Sequence, residues 1–238
     1  LIETNVMTVN KTIIITGGFG SLGRAAAQAA LEQGYGIVLV DRAEQLLGAD
    51  FSDSPQVLIC GGVDICDFAQ AQNVVAKAQA QFGEVSALLN IAGGFHWANF
   101  ESDELDTWDR LYQMNVKTAV TASKAVLPVF LNQQRGSIVC VSAGAAVKGE
   151  AGIAAYAASK AGVSRFVESL AAELKDKGVR VNAVAPSIID TQPNRKAMPD
   201  ADFSRWVSPA ALAKVMLFLA SDEASAVTGS ILPVTGRV

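Results

Sequence analysis

The amino-acid sequence predicts a single doubly wound α/β domain, with a seven-stranded, mainly parallel sheet and helices on both of its faces. Seven short runs rich in β-branched residues alternate with longer runs of helical period. The strand runs are apolar throughout, which is typical of strands that are covered on both faces. This alternation over 238 residues, half of them apolar, leaves room for one core. We expect one domain over residues 7–238, preceded by an extension of residues 1–6, with Met7 as the candidate native start.

The elements follow one another in a regular order. The predicted strands are residues 11–16, 36–40, 57–60, 85–92, 136–142, 179–185 and 231–234. The predicted helices are an Ala-rich run that ends near residue 33, the run 67–83, a long helix near 105–131, a helix that carries Tyr156, and one near 209–220. The helix that carries Tyr156 should end at residues 175–178, because lysines in the last turn and a glycine beyond it are typical of helix C-termini.

The composition argues against several classes of partner and site. A formal charge of −4 without a basic stripe argues against nucleic acid, and the apolar runs are too short to span a bilayer. The three cysteines, Cys60, Cys66 and Cys140, lack the spacing of a disulfide or zinc pair, and the chain has one histidine. We therefore expect reduced thiols, no metal site, and a cytoplasmic protein that acts on a small molecule.

A glycine-rich turn follows the first strand. Its sequence, TGGFGSLG, contains the spacing G-x-G-x-x-G, and an acidic residue, Asp41, ends the next strand. This context is typical of a dinucleotide-binding turn, in which glycines let the backbone approach a pyrophosphate at a helix N-terminus. The Asp41 carboxylate would accept ribose hydroxyls and repel a 2′-phosphate, which favours NAD(H), whereas Arg42 could pair with that phosphate and keeps NADP(H) open. The residues of this region that we expect to contact the cofactor are Gly17, Gly20, Ser21, Leu22, Gly23, Asp41 and Arg42.

Tyr156 and Lys160 lie four residues apart in an Ala-rich, helix-prone run, so they share a helix face. A nearby ammonium lowers the pKa of a phenol from its ordinary value near 10, which suits proton exchange with a substrate oxygen. The spacing alone is common by chance. The dinucleotide turn upstream makes this pair a candidate acid–base device.

With these two sites, the chain resembles the short-chain dehydrogenase/reductase family over almost its whole length. The motifs that carry the resemblance occur in the family's order: TGGFGSLG, Asp41, Asp64 in VDICD, NIAG at 90–93, Asn115 in QMNVKTA, GSIVCVS, YAASK and VAPSIIDT. The resemblance implies a Rossmann-type fold, a homodimer or homotetramer, and an NAD(P)(H)-dependent oxidoreductase. It implies that Tyr156 is the catalytic acid–base, that Lys160 binds ribose and lowers the tyrosine pKa, and that Asn115 keeps a helix break open for a proton-relay water. The further cofactor contacts that it implies are Asp64, Ile65, Asn90, Ala92, Gly93, Lys160, Pro186, Ile189 and Thr191.

The sequence departs from the family at one catalytic position. The family's substrate-orienting serine lies thirteen residues before the tyrosine, where this chain has Ala143. The adjacent Ser142 is a doubtful substitute, since neighbouring residues at a strand end point to opposite sides. Three hypotheses remain open. The enzyme reduces a carbonyl with another second donor; its substrate needs no such donor, as in quinonoid dihydropteridine reductase, a relative that also has alanine there; or the protein binds NAD without turnover, as a redox sensor or scaffold.

The segment GGFHWANF at residues 93–100 follows the fourth strand, where parallel-sheet enzymes build the ligand crevice. Phe95, His96 and Trp97 are therefore candidates to line the substrate pocket, with the short segment after Thr191 as the other wall. The resulting prediction is an oxidoreductase that moves a hydride between nicotinamide and a small carbonyl, alcohol or related C=N substrate.

Overall fold

The computed structural model describes residues 11–46, 48, 51 and 53–238, so the predicted extension and Met7 lie outside the described residues. Seven strands form one parallel sheet in the order β3-β2-β1-β4-β5-β6-β7. The strands are β1 (Thr12–Thr16), β2 (Gly36–Val40), β3 (Val57–Cys60), β4 (Val85–Asn90), β5 (Gly136–Val141), β6 (Val179–Pro186) and β7 (Ile231–Val234). The α-helices are α1 (Ser21–Glu32), α2 (Phe68–Phe82), α3 (Leu105–Tyr112), α4 (Thr118–Gln133), α5 (Ala154–Leu174), α6 (Gln192–Ala197) and α7 (Pro209–Ala220). The predicted doubly wound α/β fold is confirmed.

Strand β1 shows why the strand runs are apolar throughout. Ile13 and Ile15 belong to a buried cluster with α1 and α7, whereas Ile14 belongs to a cluster with α2, α4 and α5. Because successive strand residues point to opposite faces, a strand between two helical layers needs apolar side chains at every position. The sheet therefore has a core on each side, and the ends of its strands are the places left for ligands.

Two helix regions add detail to the prediction. The long helix near 105–131 is interrupted at Asn115, where the resemblance implied a helix break, by a π-helical turn, Gln113–Lys117, between α3 and α4. The segment after Thr191, which was predicted as the other wall of the substrate pocket, contains the short helix α6, which the Thr191 hydroxyl caps by accepting a hydrogen bond from the Asn194 N–H at 3.4 Å. Helix α5 ends as predicted, with a 3₁₀ turn at Lys175–Lys177 and Gly178 at a φ of +71°.

Among the described residues, no helix combines the length and the apolar character that crossing a membrane requires. Within the same ranges, no three histidine, cysteine, aspartate or glutamate side chains come together as a metal ion would require. Cys60, Cys66 and Cys140 are free thiols.

Candidate active site

A cleft of about 1120 Å³ opens at the carboxyl edge of the sheet. It lies at the ends of β1 and β4, where the strand order reverses, and open α/β sheets bind ligands at this point. The cleft brings together the turn after β1, the ends of β2, β4 and β5, and one face of α5. The predicted cofactor residues that line it are Gly17, Gly20, Ser21, Leu22, Gly23, Asp41, Arg42, Asp64, Ile65, Ala92, Gly93, Lys160, Pro186, Ile189 and Thr191.

The turn between β1 and α1 leaves no room for side chains. Gly17 has a φ of +66°, and a side chain there would lie 2.8 Å from the backbone nitrogen of Ala92. A side chain at Gly23 would overlap the carbonyl oxygen of Gly17. Helix α1 begins after Gly20, and no side chain caps its first N–H groups. These features fit a dinucleotide, whose pyrophosphate needs close backbone approach and a helix N-terminus.

Two side chains fix this turn relative to the sheet. The Asp41 carboxylate accepts a hydrogen bond from the Phe19 N–H at 3.0 Å, and its oxygens have further acceptor capacity for ribose hydroxyls. The Thr16 hydroxyl oxygen accepts hydrogen bonds from the N–H groups of Ile91 and Ala92, both at 3.2 Å. Thr16 therefore joins the ends of β1 and β4 at the floor of the cleft. No role was predicted for it, although its place at the start of the glycine motif is a usable signal.

Asn90 was predicted to contact the cofactor, but its side chain does not line the cleft. Its side chain is 3% exposed, and its amide nitrogen donates a hydrogen bond to the Ser123 hydroxyl at 3.1 Å and approaches the Cys140 Sγ at 3.5 Å. The side chain therefore points into the core, where it ties the end of β4 to α4 and β5. It supports the cleft from below without lining it.

Asn115 lies in the π turn and holds the segment that follows β4. Its amide oxygen accepts a hydrogen bond from the Gly94 N–H at 2.8 Å, and its amide nitrogen donates to the Gly94 carbonyl at 3.1 Å and to the Ser159 hydroxyl at 2.9 Å. A side chain at Gly93 would lie 2.6 Å from the Asn115 oxygen. The wider π turn thus lets one asparagine join α5 to the cleft wall, and π turns are frequent at functional sites.

Tyr156 and Lys160 both line the cleft from α5. The Lys160 side chain is buried, its Nζ donates a hydrogen bond to the Val141 carbonyl at 2.8 Å, and it lies 6.0 Å from the centre of the Tyr156 ring. Since an ammonium has three donors, two remain for a ligand. Burial lowers the pKa of Lys160 to about 8 and raises the pKa of Tyr156 to about 12. The rise in the Tyr156 pKa has burial as its cause and is opposite in direction to the predicted fall.

Comparison with known proteins identifies the family. A family model described as short chain dehydrogenase matches residues 11–202. The chain belongs to this family. The 3-oxoacyl-[acyl-carrier-protein] reductase FabG of Thermotoga maritima is 32% identical over 239 residues, which cover 95% of this chain and 96% of the relative.

Solved structures of other proteins share the fold. NAD+-bound xylitol dehydrogenase has a TM-score of 0.86 and 26% identity, over 96% of this chain and 98% of that chain. ElxO with NADP bound has a TM-score of 0.87 and 24% identity, over 95% of this chain and 97% of that chain. With the family match, the chain is thus an NAD(P)-dependent short-chain dehydrogenase/reductase.

The position of the family's missing serine is visible in the cleft. Ala143 occupies it and lines the cleft. The Ser142 hydroxyl, by contrast, lies 2.7 Å from the Ser164 hydroxyl and donates to the Lys160 carbonyl at 3.1 Å. Ser142 borders the cleft but directs its side chain at α5, because adjacent residues at the end of β5 face opposite ways. The hydroxyl of Ser142, which was predicted as a doubtful substitute for the missing serine, anchors α5 to β5.

Of the three residues predicted for the substrate side, Phe95 lines the cleft. Its ring meets the Tyr156 ring edge to face, with centroids 4.9 Å apart. His96 lies outside the cleft with its Nε2 3.9 Å from an oxygen of Asp103, and Trp97 packs on the loop that precedes α5. The other two candidates, His96 and Trp97, do not line the cleft, because this segment turns both side chains towards neighbouring loops.

The cleft is also lined by Pro193, Asn194 and Met198, from the segment after Thr191 that was predicted as the other wall. Four further lining residues, for which no role was predicted, are Met114, Lys148, Glu150 and Ile153. Lys148 and Glu150 lie in the loop from β5 to α5 that leads to Tyr156. Two charged residues within the otherwise small and apolar run VSAGAAVKGEAGIAA are the sequence signal that could have identified them.

Proposed function

We propose that this enzyme transfers a hydride between the nicotinamide of NAD(H) and a small carbonyl, alcohol or related C=N substrate. One observation carries the proposal: Tyr156 and Lys160 line the same cleft as the glycine turn. Hydride transfer to a carbonyl also needs a proton at the neighbouring oxygen, so a dinucleotide site and an acid–base pair must share one cavity.

The residues present fit a nicotinamide cofactor, which supplies or accepts the hydride when it is bound. The glycine turn and the N-terminus of α1 would hold the pyrophosphate. Asp41 would hold the adenosine ribose, with Asp64 and Ile65 beside the adenine. The two spare donors of Lys160 would hold the nicotinamide ribose. Pro186, Ile189 and Thr191 would flank the nicotinamide.

In the reductive direction, Tyr156 gives its proton to the substrate oxygen. Its pKa of about 12 keeps the phenol protonated at neutral pH, and the alkoxide that forms on hydride addition is a stronger base than the phenolate left behind. The Lys160 ammonium stabilises that phenolate. With a pKa of about 8, this ammonium can also return a proton to the Tyr156 phenolate at neutral pH, and the lysine then regains a proton from solvent.

NAD(H) is preferred over NADP(H) in this proposal. The Asp41 carboxylate at the end of β2 would repel the 2′-phosphate of NADP(H). Arg42 lines the same part of the cleft and is the feature that favours NADP(H). The relatives with solved structures include both an NAD+-bound and an NADP-bound protein. The ratio of kcat/KM with NADH to that with NADPH measures this preference.

Ala143 bears on the substrate class. Alanine at this position provides no hydroxyl to donate a hydrogen bond to the oxygen of a carbonyl substrate. In sites that stabilise an oxyanion, one such donor lowers the transition-state free energy by about 3 kcal/mol. The relative named 3-oxoacyl reductase supports a carbonyl substrate all the same. A quinonoid dihydropterin, which is reduced at C=N, is the second candidate, because the alanine at position 143 resembles quinonoid dihydropteridine reductase.

The proposal is tested by measuring NADH consumption by the purified protein with ketones, aldehydes, 3-oxoacyl thioesters, quinones and quinonoid dihydropterin. We expect turnover on one class, with NADPH used less efficiently. Turnover of the dihydropterin but of no ketone would assign the C=N class. Tight NADH binding without turnover on any class would contradict the proposal.

A further inference from the structure

A second cavity lies at the opposite edge of the sheet, where the strands begin. It has a volume of about 280 Å³, and we call it the basal cavity. Its walls are the residue before β1, the starts of β4, β5 and β6, and the chain that follows α7. It shares no lining residue with the cleft. A ligand here would therefore occupy a site separate from that of the cofactor and substrate.

Cationic side chains dominate the lining of the basal cavity. Lys11, Arg135, Lys175 and Arg180 line it together with one carboxylate, Asp222. The whole chain carries a net charge of −4, so the charged side chains that line this cavity differ in sign from the chain as a whole. Like charges that converge on one cavity repel one another unless something negative lies between them.

Part of this charge is neutralised within the fold. The Asp222 carboxylate accepts hydrogen bonds from Lys11 at 2.7 Å and from Arg135 at 2.5 Å. The Arg180 guanidinium donates to the carbonyl groups of Leu219 at 2.7 Å and Ser221 at 2.8 Å, which are at the C-terminal end of α7. Arg180 therefore satisfies carbonyls that a helix end leaves without partners.

The neutralisation is incomplete. Glu84 lies 3.9 Å from Arg135, and the C-termini of α1, α4, α5 and α7, each with about half a negative charge, lie at this edge. Lys175 is the cation that these groups leave without a partner, because within the described residues it forms no ion pair or side-chain hydrogen bond.

We propose that the basal cavity binds a tetrahedral oxyanion, either inorganic phosphate or the phosphate group of a small phosphomonoester. Lys175 and Arg135 would supply charge-assisted hydrogen bonds, and hydroxyl donors are at hand from Ser225 and Thr228, which also line the cavity. The Thr228 oxygen accepts a hydrogen bond from the Val181 N–H at 3.1 Å, which leaves its own proton free to donate. The volume exceeds what one phosphate needs, so a small organic substituent also fits.

Calorimetric titration of inorganic phosphate into the full chain tests the proposal. Saturating NADH occupies the glycine turn, the other place where phosphate would bind, and chloride keeps the ionic strength constant. We expect phosphate to bind to the wild type and to bind about tenfold more weakly to Lys175→Gln, which loses one charge-assisted contact. Lys177→Gln removes the same charge from the same turn but lies outside the cavity, so its phosphate affinity should equal that of the wild type.

The outcomes separate clearly. No binding of phosphate to the wild type, equal weakening in both variants, or no weakening in Lys175→Gln would each overturn the proposal. Glycerol 3-phosphate in place of phosphate distinguishes the two sources of the oxyanion. Tighter binding of the ester that is lost in Lys175→Gln would assign a phosphomonoester, and tighter binding of the inorganic ion would assign phosphate.

Discussion

Lys160→Met is a substitution whose effect on stability follows from the burial of the charged side chain. Burial lowers the pKa of this ammonium from 10.5 to about 8, and each pKa unit corresponds to about 1.4 kcal/mol. Holding the charged side chain in the folded state thus costs about 3 kcal/mol at pH 7. Methionine fills a similar volume without charge but leaves the Val141 carbonyl without its donor, at a cost of about 1 kcal/mol. We expect the variant to be about 2 kcal/mol more stable than the wild type at pH 7, and inactive.

The effect has a characteristic pH dependence. Below about pH 8, Lys160 is charged in both the folded and the unfolded state, so the full cost of burial is present. Between pH 8 and 10.5 the unfolded state binds more protons than the folded state, so the stability of the wild type rises with pH. Above pH 10.5 the lysine is neutral in both states. The advantage of Lys160→Met should therefore disappear over this interval.

Urea denaturation of both proteins at a series of pH values measures this difference, with the protein concentration held fixed because self-association changes apparent stability. Lys177→Met, which replaces an exposed lysine, should change the free energy of unfolding by less than about 0.5 kcal/mol at any pH. A Lys160→Met variant that is less stable than the wild type at pH 7, or whose advantage is independent of pH, would refute the reasoning.

Four further substitutions test separate parts of the site. Asp41→Ala should remove the advantage of NADH over NADPH. An unchanged ratio of kcat/KM values for the two cofactors would contradict the assignment of Asp41 as the residue that selects NADH. Gly23→Ala should weaken NADH binding at least tenfold, because its methyl group overlaps the Gly17 carbonyl, whereas Gly149→Ala meets no atom within 4 Å and should leave binding unchanged. Ala143→Ser should raise kcat on a ketone by about tenfold or more, since it restores a donor at the cleft, and a C=N substrate should gain nothing. Ser142→Ala should cost about 1 kcal/mol of stability with kcat intact, and a large fall in kcat would restore Ser142 as a donor.

The features that were predictable from the sequence depend on local period or on fixed spacing. Fully apolar strand runs such as residues 36–40 predicted a sheet with two covered faces, and the glycine turn followed β1 as expected. Tyr156 and Lys160 share a helix face because helical spacing brings residues four apart together. The alternation of side chains at a strand end also gave reason to doubt Ser142, and its hydroxyl is directed away from the substrate side.

The features that were missed depend on packing. The family resemblance implied a helix break at Asn115, but the form of this break, a π turn that inserts one residue into the helix, is not revealed by the apolar period near 105–131. Residues 95–97 follow no regular period, so the directions of His96 and Trp97 are set by the loops against which they pack. The rise in the Tyr156 pKa comes from burial within the folded chain, and spacing to Lys160 alone predicts the opposite direction.

The central claim is that Tyr156 moves the proton in this cleft, and Tyr156→Phe tests it most directly. The assay compares NADH oxidation and NADH affinity for the wild type, Tyr156→Phe and Tyr112→Phe, an exposed tyrosine outside the cleft that serves as the matched control. We predict that Tyr156→Phe loses at least about a hundredfold in kcat with its NADH affinity intact, while Tyr112→Phe behaves like the wild type. Turnover by Tyr156→Phe at the rate of the wild type would contradict the account.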